Sequence, residues 1–361
     1  ARMKNWIIAS VFLVVASLSL AFTWNNATYY DKPIVKVQEV TVVEEETIVD
    51  SYRNEDRLVT QQIVGEWQNG KKKGKQVEWT HIASRSGAAG FLLKEKMHVF
   101  MERHQGEWMA VQVKRDYVVV LAMFGFIGFL LLVGGKQGMF SLISFGVNVL
   151  LLYGAIHLYV QTNNVSLIAL AIMLAICFVV VSLVSVSGLS PKTYVAIVTS
   201  LVATFVSLGV VLLIFAWTNE RGLNYEEMQF LSRPYRTVFI AGLIIGSLGA
   251  EMDVAMTMAS TLFELAEQPN ATLARLKGAG EEVGRDIMGT ITSILFFAYM
   301  SGSVPVMLLY VMNDVPLNYT FSMNLSLEFA RALAGSIGIV LAIPISLHMT
   351  LRYLRRKKVI T

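Results

Sequence analysis

The chain has 361 residues, 55 % of them hydrophobic and only 16 % charged, with a mean hydropathy of +0.55. A soluble domain covers its surface with polar groups, so these values and the charge-poor runs near twenty residues point to a helical membrane protein. The net charge of +4 does not indicate nucleic acid, because the basic residues cluster at the ends of apolar runs, and Cys177 as sole cysteine excludes disulfides, zinc–cysteine clusters and c-type haem within one chain.

The opening Ala1-Arg2-Met3-Lys4 is read with Met3 as the native start. The apolar run 6–22 has the length of a signal peptide. No small-residue cleavage site follows it, and Trp24 reads as an interfacial anchor, so residues 5–24 are expected to form a retained signal-anchor helix. Between 25 and 116 charge returns, with strand-like alternation at 34–43, 58–67 and 77–79 and further strand candidates at 97–101 and 108–113. Asn69-Gly70, followed by Lys71-Lys72-Lys73-Gly74-Lys75, predicts a hairpin turn. Its lysines read as a solvated turn, with contact to anionic envelope polymers or lipid head groups as the alternative. Five short strands in about ninety residues suit a small barrel or sandwich.

Seven further apolar runs follow, at about 117–134, 138–160, 165–187, 193–217, 237–267, 287–312 and 325–351. The run 237–267 is too long for one straight span and Pro305 interrupts the next, so bent or broken spans are expected, or a re-entrant 237–267. With the N-terminus inside, Arg2, Lys4, Lys136, Lys192, Arg275, Lys277, Arg285 and the tail cations Arg352, Arg355, Arg356, Lys357 and Lys358 face the cytoplasm. Only Arg221, Arg233 and Arg236 lie opposite, a clear positive-inside bias. The expected architecture is a polytopic α-helical membrane protein of about eight transmembrane helices, with a small extracytoplasmic β-barrel or sandwich between the first two. Its parts are the anchor 5–24, the β-rich domain 25–116, a seven-helix domain 117–354 and a basic cytoplasmic tail 355–361, with both termini cytoplasmic.

Gly242-Leu243-Ile244-Ile245-Gly246-Ser247-Leu248-Gly249-Ala250-Glu251-Met252-Asp253 places two carboxylates inside an apolar run. They fall about 21–24 Å below the outer surface of a ~30 Å core. An ionised carboxylate there costs several kcal/mol unless hydrated, paired or bound to an ion. Glu251 and Asp253 are about 200° apart on a continuous helix, so either the helix breaks near Gly249 or only one of them is functional. Asp253, Thr257 and Thr261 form one polar stripe; Asp286, Thr290 and Ser293, after Gly284-Arg285 and beside Gly289, form another. Two facing stripes would hold a cation or relay protons. The alternative is packing: Gly242 and Gly246 make a GxxxG face, hydroxyl stripes glue helices together, and Asp253 and Asp286 cap helix starts. Glu328 and Arg331 can pair along one helix face. The link 264–282, with Lys277-Gly278-Ala279-Gly280, reads as a surface helix with a flexible joint.

The run Gly246-Ser247-Leu248-Gly249-Ala250-Glu251-Met252-Asp253-Val254-Ala255-Met256 resembles the YibE/F family of bacterial integral membrane proteins. So do Gly284-Arg285-Asp286-Ile287-Met288-Gly289-Thr290 and Gly335-Ser336-Ile337-Gly338-Ile339-Val340-Leu341-Ala342-Ile343-Pro344, while Gly70-Lys71-Lys72-Lys73-Gly74-Lys75 is similar to the longer, YibE-type members. The resemblance covers most of the chain. It implies a bacterial cell-membrane location and a partner, either a second copy or a YibF-like paralogue.

No GxSxG, P-loop or strand–GxGxxG–helix unit appears, so no enzyme and no cofactor is expected. The expected function is a secondary transporter or permease for a small solute or ion, coupled to protons or a metal cation. Asp253, Asp286 and Glu251 would titrate or coordinate, and Thr257, Thr290, Ser293 and Arg285 would line the path. Gly242, Gly246, Gly249, Gly284, Gly289 and Pro305 would allow packing or bending. The alternative class is a membrane scaffold or sensor whose β domain binds an envelope component or partner protein.

Overall fold

A computed structural model describes residues 2–49, 53, 55–162, 165–228, 234–269 and 271–357. Ala1, Arg233 and the tail from Lys358 onward, all of which entered the sequence reading, lie outside the described residues. The chain divides at Gly135 into two compact units, Ala1–Gly135 and Lys136–Thr361.

The first unit contains helix α1 (Arg2–Asn25), strands β1 (Ile34–Val49), β2 (Glu55–Trp67), β3 (Gln76–Ser84), β4 (His98–His104) and β5 (Glu107–Val113), and the start of helix α2 (Asp116–Gln161). All five expected strands are present, and β1, β2 and β3 run further than the alternation indicated. They form one antiparallel sheet in the order β3-β2-β1-β4-β5, so the two-sheet sandwich is set aside. Alternation along the strands sends Val35, Val37, Ile63, Trp79, Val99 and Met101 to a common core. Gly65 is required there, because a Cβ on it would come within 2.4 Å of Val35 Cγ1.

The Asn69-Gly70 signal marks a turn, but not the tight two-residue kind. Gly70 takes the left-handed conformation at φ 72°, whereas Asn69 is extended at φ −145° and buried. Its Oδ1 accepts from Ile34 N at 2.8 Å, and its Nδ2 donates to Ala27 O, Tyr30 O and Lys32 O at 3.0, 3.0 and 2.8 Å. One side chain thus satisfies four backbone groups of the segment that leads from α1 into the sheet. The lysines that follow are exposed, and the Lys72 ammonium lies over the Trp108 ring, 5.2 Å from its centre.

The sheet is fixed to the helices of this unit by a second polar cluster. Lys114, 3 % exposed, donates to Thr23 O at the end of α1 and to Asp116 Oδ1 at 2.7 Å at the start of α2. Asp116 Oδ2 accepts from Asn26 Nδ2 at 3.0 Å and Tyr30 Oη at 3.1 Å, so the buried ammonium has a carboxylate that is itself fully bonded. Burial first, then the positive charges of Lys114 and Lys36, hold the neighbouring His98 imidazole below its ordinary range.

The second unit holds the rest of α2, then α3 (Leu167–Ser187), α4 (Pro191–Thr218), α5 (Tyr235–Ala266), α6 (Leu273–Ser301), α7 (Val304–Met312) and α8 (Leu317–Arg356). Helix α2 counts 46 residues, about 69 Å of helix, and turns at Gly135, whose φ of 51° and ψ of −124° are not helical. The starts of α4 and α6 are written in the sequence: Ser190 and Thr272 accept from the backbone N–H three residues on, and Pro191 occupies the first turn of α4. Six helices among the described residues are long and apolar enough to cross a membrane, or seven if α6 and α7, bent by 51°, count as one. That bend falls at Gly302-Ser303, just before Pro305 in the first turn of α7.

Three expectations are corrected here. The 237–267 region is covered, up to Ala266, by one unbroken helix of 32 residues, α5, with no break at Gly249, and α5 packs against α3, α4, α6 and α8. The glycines of the 264–282 link lie inside α6 and form no joint; Gly280 gives close packing, since a Cβ on it would come within 2.6 Å of Leu347, and Gly278 is exposed. Asp253 and Asp286 sit in mid-helix and cap nothing; Thr272 is the cap of α6.

Candidate functional site

Helix α5 buries Ile240, Ile244, Leu248, Ala255 and Met258 toward its neighbours, and at 3.6 residues per turn Glu251 falls on the same inward face. Its side chain is 0 % exposed. Helix α4 supplies the opposing surface. Thr193, Ser200, Thr204 and Ser207 recur at intervals of seven, four and three residues, so their hydroxyls form one stripe, and all four are buried. Thr204 Oγ1 donates to Glu251 Oε2, and Ser207 Oγ reaches Oε1 at 3.5 Å. Ser247, one turn earlier on α5, is buried on the same face of the helix.

Helix α8 completes the nest by omitting a side chain. A Cβ on Gly338 would stand 1.7 Å from Glu251 Oε1, so the carboxyl group occupies the notch that this glycine leaves. Gly335, one turn away, lets Leu295 approach in the same manner.

Thr204 and Ser207 each have one proton and two acceptors. Thr204 Oγ1 lies 2.8 Å from Ser200 O as well as against the carboxylate, and Ser207 Oγ lies 3.0 Å from Thr204 O. Turned inward, the hydroxyls solvate an ionised Glu251. Turned to the helix carbonyls, they leave Thr204 Oγ1 free to accept the proton of a neutral Glu251. Thr204 Oγ1 can therefore serve Glu251 as donor or as acceptor within one backbone arrangement. Beside the nest is a cavity of about 10 Å³, lined by Thr204, Ser207 and Ser247 and by Leu208, Val211 and Ile244, which is at the margin of holding one water. At the Pro191 end of α4 a larger cavity of about 390 Å³ opens beside Ser190, Thr193, Tyr194 and Tyr353.

The other site residues expected from the sequence lie elsewhere. Asp253 and Thr257 are on the opposite side of α5 from Glu251 and are exposed; Arg285, Asp286, Gly289, Thr290 and Ser293 are exposed along α6. Ser293 returns its hydroxyl to Gly289 O at 2.8 Å, and among the described residues Asp253 and Asp286 have no hydrogen-bond or ion-pair partner. Of the glycines, Gly246 abuts the Tyr299 hydroxyl at 2.4 Å from its Cβ position and Gly284 abuts Ile343, whereas Gly242, Gly249 and Gly289 face open space. The Gly242–Gly246 packing face thus reduces to Gly246. Glu328 and Arg331 do pair, and Arg331 also covers the Phe239 ring at 5.2 Å. No group of three His, Cys, Asp or Glu able to hold a metal occurs among the described residues.

Residues 122–356 match the YibE/F-like protein family, and residues 28–115 match the YibE/F family N-terminal domain. The chain belongs to the YibE/F family. No curated protein and no solved structure matches it. In this YibE/F protein the whole nest, from Thr204 to Gly338, lies inside the matched segment 122–356. Thr204, Ser207, Ser247 and Gly338 escaped the functional reading of the sequence. The spacing of Thr193, Ser200, Thr204 and Ser207 on one stripe was the available signal, together with Ser247 one turn before Glu251.

Proposed function

We propose that this YibE/F protein is a secondary transporter or permease for a small solute or ion, driven by protons that load and unload Glu251. The observation that supports this is the Thr204 hydroxyl, which reaches both Glu251 and the Ser200 carbonyl and so can donate to the ionised carboxylate or accept from the neutral acid without moving the backbone. A single carboxylate among hydroxyls matches the charge of one proton; a divalent cation would bring two charges to a site that offsets one. In proteoliposomes, solute uptake by the chain should rise with an imposed pH gradient for at least one solute of a broad panel. Uptake indifferent to the gradient for every solute would count against the proposal.

The topology belongs to the same proposal: a bacterial cell membrane, both termini cytoplasmic, about eight spans and the β domain outside. Lys73 and Asn318 are exposed, as is Gly278. Cysteines at the first two should react with an impermeant reagent added outside, and one at Gly278 should not; the reverse pattern would invert the orientation.

One observation favours the second reading, a non-transporting scaffold or sensor. Glu251 is already hydrogen-bonded on both oxygens, as a purely structural acid would be. The two readings part on whether removing the charge alone abolishes activity.

A further inference from the structure

We propose that Thr199 on α4 and Thr350 on α8 relay protons between Glu251 and the cavity at the Pro191 end of α4. The inference rests on the reading of Glu251 as the coupling carboxyl group and adds its route to water.

Both residues are 0 % exposed, and neither hydroxyl has a hydrogen-bond partner among the described residues. Their neighbours behave differently. Ser200 and Thr204 on α4, and Thr320 and Ser336 on α8, return their hydroxyls to the carbonyl four residues back. That bond is available to any threonine in a helix and is the least demanding choice in an apolar interior. A buried hydroxyl that forgoes it is destabilising unless water reaches it.

The two threonines occupy the interval that a proton must cross. On α4, Thr204 holds Glu251 and Thr193 lines the larger cavity, with Thr199 between them. The interval from Thr204 to Thr193 is about 16 Å of helix, too far for one proton transfer. On α8, Gly338 abuts Glu251 and Tyr353 lines the same cavity, with Thr350 between them. Ser346, one turn before Thr350, donates to Ala255 O at 3.4 Å, which brings this part of α8 against α5 one turn past Glu251. A hydroxyl both donates and accepts, so an unengaged one on each facing helix, with transient water, supplies the intermediate stations.

The test uses the full chain with Thr199→Val, Thr350→Val and the double substitution, beside Thr→Ser at both positions and Glu251→Gln. Proton entry is read in proteoliposomes with a trapped pH-sensitive dye, and the thermal unfolding midpoint in detergent. Valine keeps the shape and deletes only an unserved hydroxyl, so the midpoint should stay or rise. Proton entry should fall at least about tenfold in the double variant, and serine should restore it. Wild-type entry in the double valine variant, with Glu251→Gln inactive, overturns the relay and leaves the reading of Glu251 standing. Wild-type entry in both overturns both. A midpoint lowered by valine and restored by serine shows that the hydroxyls are bonded within the fold, and this too overturns the relay.

Discussion

Glu251→Gln is expected to fold as well as the wild type and to lose proton-coupled uptake by about a hundredfold or more, at least ~2.7 kcal/mol on the barrier. Glutamine keeps the volume that fills the Gly338 notch, and its amide can bond to Thr204 and Ser207, so the packing around α5 is preserved. What it lacks is a site that takes and releases a proton. A carboxyl group retained only for structure would tolerate this change, since a buried ion is expensive and a neutral amide is not. The unfolding midpoint should therefore stay level or rise while transport collapses. Asp253→Asn is the internal control: its side chain is exposed on the far side of α5, and transport should stay near wild type. If Glu251→Gln transports normally, or if Asp253→Asn is the inactive one, the assignment of Glu251 is wrong.

Gly338→Ala should have the second large effect. The added methyl stands 1.7 Å from Glu251 Oε1 and 2.6 Å from its Cδ, so both cannot remain where they are. The carboxyl group would have to leave the hydroxyls of α4, or α8 would have to move away from α5. Overpacking of this kind costs about 1–3 kcal/mol, and here it also dismantles the nest, so both midpoint and transport should drop. Gly242→Ala and Gly249→Ala make the same chemical change where nothing lies within 4 Å. In a helix interior they should leave the midpoint unchanged or raise it by up to about 1 kcal/mol. Equal midpoints for Gly338→Ala and Gly249→Ala would contradict the notch.

The contrast between these glycines shows where sequence reasoning stopped. The long apolar runs, the break before Pro305 and all five strands were legible, because periodicity and turn residues act locally; the start of α6 was not, since the cap was expected at Asp286 and lies at Thr272. Which face of α5 points inward was not. A helix that is apolar nearly all round carries no amphipathic signal, so Glu251 and Asp253 were equivalent until neighbouring helices were in place. The glycines misled in part for the same reason: of the GxxxG pair Gly242 and Gly246 only Gly246 is in contact, and Gly249, where a break was expected, faces open space. Asn69 shows the reverse case. Its position in an Asn-Gly pair argued for a solvated turn, while its function depends on Ile34, Ala27, Tyr30 and Lys32, more than thirty residues earlier in the chain.

The most direct measurement is an infrared titration of the reconstituted protein, taken as the difference between wild type and Glu251→Gln. The expected result is a protonated-carboxyl band in the wild type alone that appears and disappears reversibly with pH and shifts in heavy water, as a proton exchanging with solvent requires. A Glu251 band that neither responds to pH nor exchanges would mean a sealed structural acid, and would contradict proton coupling at this site.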